Sequence, residues 1–144
     1  MSKRFTFRLE SLRRLRQHKT NEAKISLGEV SQMCVAKVQE IQALQRYHDE
    51  IKGNTGLMKV MNHQMRSEHA LAVKEDLKRL AAELVNLREI EALRRMKLTE
   101  AMKEEKILDS LRDKKEIQHK HDLLVEEQGM MDEIASRREH TRER

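Results

Sequence analysis

The chain of 144 residues has no proline, no tryptophan, four glycines, one cysteine and only three phenylalanine or tyrosine rings. Each shortage excludes something. A compact core enclosing a catalytic pocket normally buries large rings and reverses direction at Gly and Pro, so a pocket-type enzyme is disfavoured. With Cys34 alone there is no intramolecular disulfide and no cysteine-built zinc site, and a reducing compartment is compatible. No run of eighteen apolar residues occurs, which excludes a bilayer-spanning helix. The Arg-rich, amphipathic start has some transit-peptide character but lacks the apolar centre of a secretory signal. Helical periodicity runs on from it without a break, which argues against a leader.

What remains is 38% hydrophobic and 38% charged, dominated by Ala, Leu, Glu, Lys, Arg, Met and Gln. These side chains lose little rotamer freedom in a helix. The composition therefore predicts an all-α chain of long helices. The net charge of +5 is concentrated at the start, where residues 1–19 carry seven Lys or Arg against a single Glu10. The remainder is nearly neutral and reads as a mixed-charge helix surface.

The only cluster of breakers is Gly53-Asn54-Thr55-Gly56. It predicts a hairpin with helix one at about 4–52, a hinge at 53–56, helix two at about 57–138 and a basic tail at 139–144. Gly53 is expected to stop the first helix in a left-handed conformation, with Asn54 or Thr55 capping the second. Ala23, Leu27, Val30, Cys34, Val38, Ile41, Leu44, Tyr47 and Ile51 follow at steps averaging 3.5 residues, the spacing of a left-handed coiled-coil seam. Met58, Met61 and Met65, then Leu77, Leu80, Leu84, Leu87, Ile90, Arg94, Leu98 and Ala101, supply a second stripe.

A tight turn makes the two helices antiparallel neighbours, forming an antiparallel coiled-coil hairpin. Residue i is then expected opposite residue 109 − i, which sets Leu44 beside Met65 and, to within one residue, Val30 beside Leu80 and Leu12 beside Leu98. Phe5 would reach about Glu104, leaving everything after about residue 105 as a C-terminal helical overhang. Twelve of the twenty residues from Lys103 to Asp122 are charged, with Ile107, Leu108 and Leu111 as a thin apolar stripe. Gly129, followed by Met130, Met131, Ile134 and Ala135, marks a kink or a last amphipathic stretch. Arg137, Arg138, Arg142 and Arg144 close the chain as a second basic cluster.

Catalytic constellations are missing, and no cofactor is implied. There is no Gly-rich phosphate loop and no enclosed Ser/His/Asp geometry. His119 and His121 are two apart and point to different sides of a helix. In the expected register His48 and His63 approach each other near Asp49, an arrangement weighed as a metal site against a solvated pair beside the turn. Cys34 reads as a small core hydrophobe rather than a nucleophile.

The segment Phe5-Thr6-Phe7-Arg8-Leu9-Glu10-Ser11-Leu12-Arg13-Arg14-Leu15-Arg16 joins two of the three rings to the densest positive charge. Aromatic rings and Arg dominate interface hot spots, so this is a candidate contact surface. The plainer reading is that Phe5, Leu9 and Leu12 continue the seam and the Arg side chains are solvated. As a helix the segment puts Phe7 off the Phe5 and Leu9 face, in need of an external partner. Tyr47 has two readings, a seam residue packed toward the methionines or an exposed docking ring. Binding of nucleic acid or an acidic surface through residues 1–19 and 137–144 is an alternative, weakened by sparse aromatics and frequent acids.

Phe5, Phe7, Arg8, Leu9 and Leu12 reproduce an F-x-F-R-L-x-x-L opening followed by Arg, and the chain thereby resembles the flagellar FliJ family. Leu27-Gly28-Glu29, Cys34, Leu44 and Tyr47, the late Glu/Lys tract and the Asp132-Glu133-Ile134-Ala135 ending extend the resemblance. It implies an antiparallel coiled coil similar to the stalk of rotary ATPases, with no catalysis of its own. The implied setting is cytoplasmic, at the inner-membrane face of the flagellar base.

The implied partners are the hexameric flagellar export ATPase, the cytoplasmic linker of the export gate's large membrane protein, and export chaperones. The resemblance assigns Phe5, Phe7, Arg8, Leu9, Leu12, Arg13, Arg14 and Arg16 to the ATPase ring, and Leu44, Tyr47 and Ile51 to the gate. Ile51 stands where some members have Tyr. The related stalk of an injectisome, or a plain coiled-coil spacer, would share these features.

Overall fold

A computed structural model describes residues 4–53, 56 and 62–142. Two long helices, α1 (Glu10–Gly53) and α2 (His63–Arg142), pack against each other, and no strand occurs among the described residues. The all-α expectation holds. The chain divides into two compact units, residues 1–20 with 101–144 and residues 21–100.

In the unit of residues 21–100, the buried apolar side chains are Val30, Cys34, Val73 and Leu80. Half-buried Ala23, Leu27, Ile41, Leu44, His48 and Ile51 complete the inward face of α1 at steps of three and four. Leu77, Leu84, Leu87, Glu91, Arg94 and Leu98 do the same on α2. Cys34 is thus a core residue. His48 rather than Tyr47 holds the seam position, and Glu91 rather than Ile90 does so on α2, where Ile90 is 41% exposed.

Polar contacts cross the seam in this unit. Ser31 Oγ donates to Glu91 at 2.8 Å, Lys37 Nζ donates to Glu83 at 2.8 Å, and Arg94 Nη1 donates to Ser26 Oγ. The paired positions add to 120–122, not 109. The expected pairings of Leu44 with Met65 and Val30 with Leu80 are therefore displaced by about three turns of helix. An apolar stripe repeats every 3.5 residues and looks the same after such a slide. Only the turn and the polar pairs select one register.

The ends of the two helices differ from the expectation. Gly53 closes α1 with ordinary helical sign of φ, since no described glycine has positive φ. Asn54 and Thr55, the expected caps, lie outside the described residues, as do Met58 and Met61. The described cap of α2 is Asn62, whose Oδ1 accepts the amide of Met65 at 2.8 Å. This is the usual service of an N-cap Asn to the third helical residue. Met65 is 52% exposed rather than part of a methionine core.

In the unit of residues 1–20 and 101–144, Thr20 and Leu108 are buried. Thr20 Oγ1 donates to the Arg16 carbonyl at 3.1 Å, which satisfies its hydroxyl within its own helix. Pairing continues well past residue 105. Arg13 meets Asp109, Arg16 meets Glu104 and Glu10 meets Arg112. These pairs bracket Leu12 and place it near residue 110 of α2 instead of beside Leu98. The uncovered tract begins only after Leu123, and every described residue from Leu124 to Arg142 is exposed. Helix continues through Gly129 to Arg142, into the segment expected as a tail.

Candidate partner-binding surface

The opening segment is not helical before Glu10. Leu9 offers no capping side chain at the helix start, and the Glu10 amide instead closes a turn onto the Phe7 carbonyl at 3.1 Å. Ahead of that turn the chain alternates, with Phe5 and Phe7 half-buried and Arg4, Thr6 and Arg8 exposed. Alternation by two is the signature of extended backbone, where residues i and i+2 share a side. Phe7 and Phe5 therefore lie on the same inward side. The helical reading that left Phe7 facing away is corrected, as is a first helix starting near residue 4.

This arm rests on α2. The Phe5 ring lies 5.6 Å from that of His119, tilted by 44°. Leu111, Lys115, Gln118 and Asp122 line the same groove. Phe5 thus reaches fifteen residues beyond the expected Glu104. Extended backbone advances more than twice as far per residue as helix, which lengthens the reach of the arm.

The cationic cluster divides into two groups. Arg13 Nε donates to Asp109 at 2.7 Å and Nη1 to Glu10 at 3.0 Å, and Arg16 bonds Glu104. The Asp109 carboxylate raises the Arg13 pKa above its already high value, with Glu10 adding to the effect. Arg13 and Arg16 are seam residues, neutralised by acids on α2. Arg14 is 77% exposed and only loosely tied to Glu10 at 3.7 Å, and Arg8 is exposed. Between them Leu9, Leu12 and Leu15 are 36%, 38% and 49% exposed, an apolar edge that the hairpin leaves partly open.

The uncovered tract carries its own pattern. Leu124, Met130, Met131 and Ile134 are each more than half exposed. Met131, Ile134, Ala135 and Arg138 outline a shallow apolar groove. Local ion pairs support the helix, including Arg137 with Glu133 at 2.6 Å and, just before the tract, Lys120 with Glu116 at 3.1 Å. The Lys120 ammonium holds the Glu116 carboxyl below its usual value.

Of the residues assigned to the gate, Leu44 and Ile51 are half-buried and Tyr47 is 53% exposed. The Tyr47 ring stands edge-on to His69 at 6.3 Å. His48 also neighbours His69, while His63 is exposed. Sequence reasoning overlooked His69, although it precedes the buried Val73 by one seam step. Among the described residues no group of three or more His, Cys, Asp or Glu side chains is placed to hold a metal ion.

A family model described as Flagellar FliJ protein matches residues 5–144. The chain belongs to that family. FliJ membership places it with the flagellar protein export apparatus, and the match starts at Phe5, the first ring of the docked arm. No curated protein and no solved structure gives a match to set beside the family.

Proposed function

We propose that this FliJ-family chain is a non-enzymatic stalk and adaptor of the flagellar type III export apparatus. The end carrying the Phe5–Arg16 segment and the Leu124–Arg142 tract enters the ring of the hexameric export ATPase and promotes its assembly. It also couples the ring to the export gate. The observation that carries this reading is a helical tract of nineteen residues, Leu124–Arg142, with an apolar stripe and every residue exposed. At about 1.5 Å per residue that tract extends roughly 28 Å, and its narrow section suits an axial channel.

Arg8 and Arg14, with Leu9, Leu12 and Leu15, are the accessible part of the ring contact. Phe5, Phe7, Arg13 and Arg16 support it from beneath. Tyr47 is the accessible part of the gate contact, flanked by Leu44 and Ile51. Export chaperones are further partners, and the working location is the cytoplasmic face of the inner membrane at the flagellar base. No described helix is long and apolar enough to cross a membrane.

The test is co-purification with the export ATPase, followed by hydrolysis assays with and without this protein. Deleting residues 1–16 is expected to lower ATPase stimulation and motility, and full activity of that truncation refutes the reading. Because the deletion also removes the Arg13 and Arg16 ion pairs, an Arg8→Ala/Arg14→Ala double variant accompanies it. That variant is expected to keep the helical content and lose stimulation.

A further inference from the structure

The face of the two helices beside Tyr47 holds two imidazoles that nothing in the stalk role uses. His48 follows Leu44 by four residues and His69 precedes Val73 by four, so both occupy seam positions where an apolar side chain would ordinarily sit. Their ring centroids are 5.9 Å apart, with the planes inclined by 36°. His48 Nδ1 and His69 Nε2 are buried and have no hydrogen-bond partner among the described residues, each other included. A buried polar nitrogen left without a partner is costly, and two of them facing one seam invite a shared ligand. The Tyr47 ring walls one side of His69.

We infer that His48 and His69 form a two-imidazole site for one divalent transition ion, clipping α1 to α2. Imidazole nitrogen favours zinc, nickel and copper over the harder magnesium and calcium. Metal–nitrogen bonds of about 2.0–2.1 Å put the centroids of two ligating rings roughly 5 to 6.5 Å apart, from tetrahedral to linear arrangements. The observed separation falls inside that range, so little movement of either helix is needed. Water, or a donor from a partner, fills the remaining positions, because no third His, Cys, Asp or Glu among the described residues is placed to do so. The ion bridges two helices across the seam, and its binding therefore stabilises their pairing.

The full chain is titrated calorimetrically with zinc chloride and with nickel chloride, alongside His48→Gln, His69→Gln and the control His63→Gln. The native chain and His63→Gln should bind one ion at this site. Either of the other two variants should bind at least about tenfold more weakly, since even loss of an outer-shell partner costs that much. Metal should raise the thermal midpoint of the native chain and leave those two variants unmoved.

Superimposable titrations of the native chain and both variants would overturn the inference, leaving only a bridging water. Should a variant lose its helix signal, electron paramagnetic resonance of copper bound to the native chain decides the matter. Coupling to two imidazole nitrogens on one copper supports the site, and coupling to fewer than two overturns it.

Discussion

Arg13 Nε donates to Asp109 at 2.7 Å across 96 residues of chain, which joins the first turns of α1 to the start of the expected overhang. The pair is partly exposed, at 24% for Arg13 and 43% for Asp109, so solvent screens it. A double-mutant cycle with Arg13→Ala and Asp109→Ala should give a coupling below about 1 kcal/mol that shrinks as salt is added. A salt-independent coupling would show that the contact is something other than an ion pair.

Burial predicts a contrast on α2. Leu80 is 4% exposed and Leu93 is 61% exposed, though both are leucines in the same helix. Urea unfolding should find Leu80→Ala destabilising by about 2–3 kcal/mol and Leu93→Ala within about 0.5 kcal/mol of the native chain. Equal effects would place the seam on the wrong face.

The Lys37–Glu83 pair sets a pH window. The hydrogen bond from Lys37 lowers the Glu83 pKa from 4.5, and hydrogen bonds from Lys37 to Glu83 and then Glu40 raise the Lys37 pKa from 10.5. The carboxylate's contribution is present above pH 4.5 and is lost as pH falls through the lowered folded value. The ammonium's contribution is present below pH 10.5 and is lost as pH rises through the raised folded value. Comparing the native chain with Glu83→Gln by thermal unfolding should show a constant small deficit for the variant near neutrality. That deficit should close in strong acid.

Register can be read directly with spin labels at exposed positions. A label pair at Gln42 and Lys78 obeys the observed sum of about 120, whereas Gln42 and Ser67 obey the expected 109. The eleven residues between Lys78 and Ser67 correspond to roughly 16 Å along the helix. The first pair should therefore be the closer, and the reverse order would restore the tight hinge.

Much of the fold was legible because composition and a 3.5-residue rhythm suffice to call two long antiparallel helices. Val30, Cys34 and Leu80 stand in the core as their spacing required. Register was not legible, since a repeating stripe fits equally well after a slide and its resolution came from Ser31 with Glu91 and Lys37 with Glu83. The opening segment misled for another reason. Its residues favour helix locally, yet Phe5 and Phe7 gain more by lying together against α2 in extended form. Arg13 and Arg16 were legible as charged but not as seam residues, because only their acidic partners reveal that role.

The helix beyond Leu123 has no buried side chain among its described residues and includes Gly129, whose missing side chain costs about 1 kcal/mol of helix stability relative to Ala. A lone segment of this length is close to its melting point in water. Its amides should therefore exchange with deuterium quickly while the protein is by itself, and slow sharply once something closes around them. The C-terminus would thus act as a built-in reporter of engagement, silent elsewhere in the molecule.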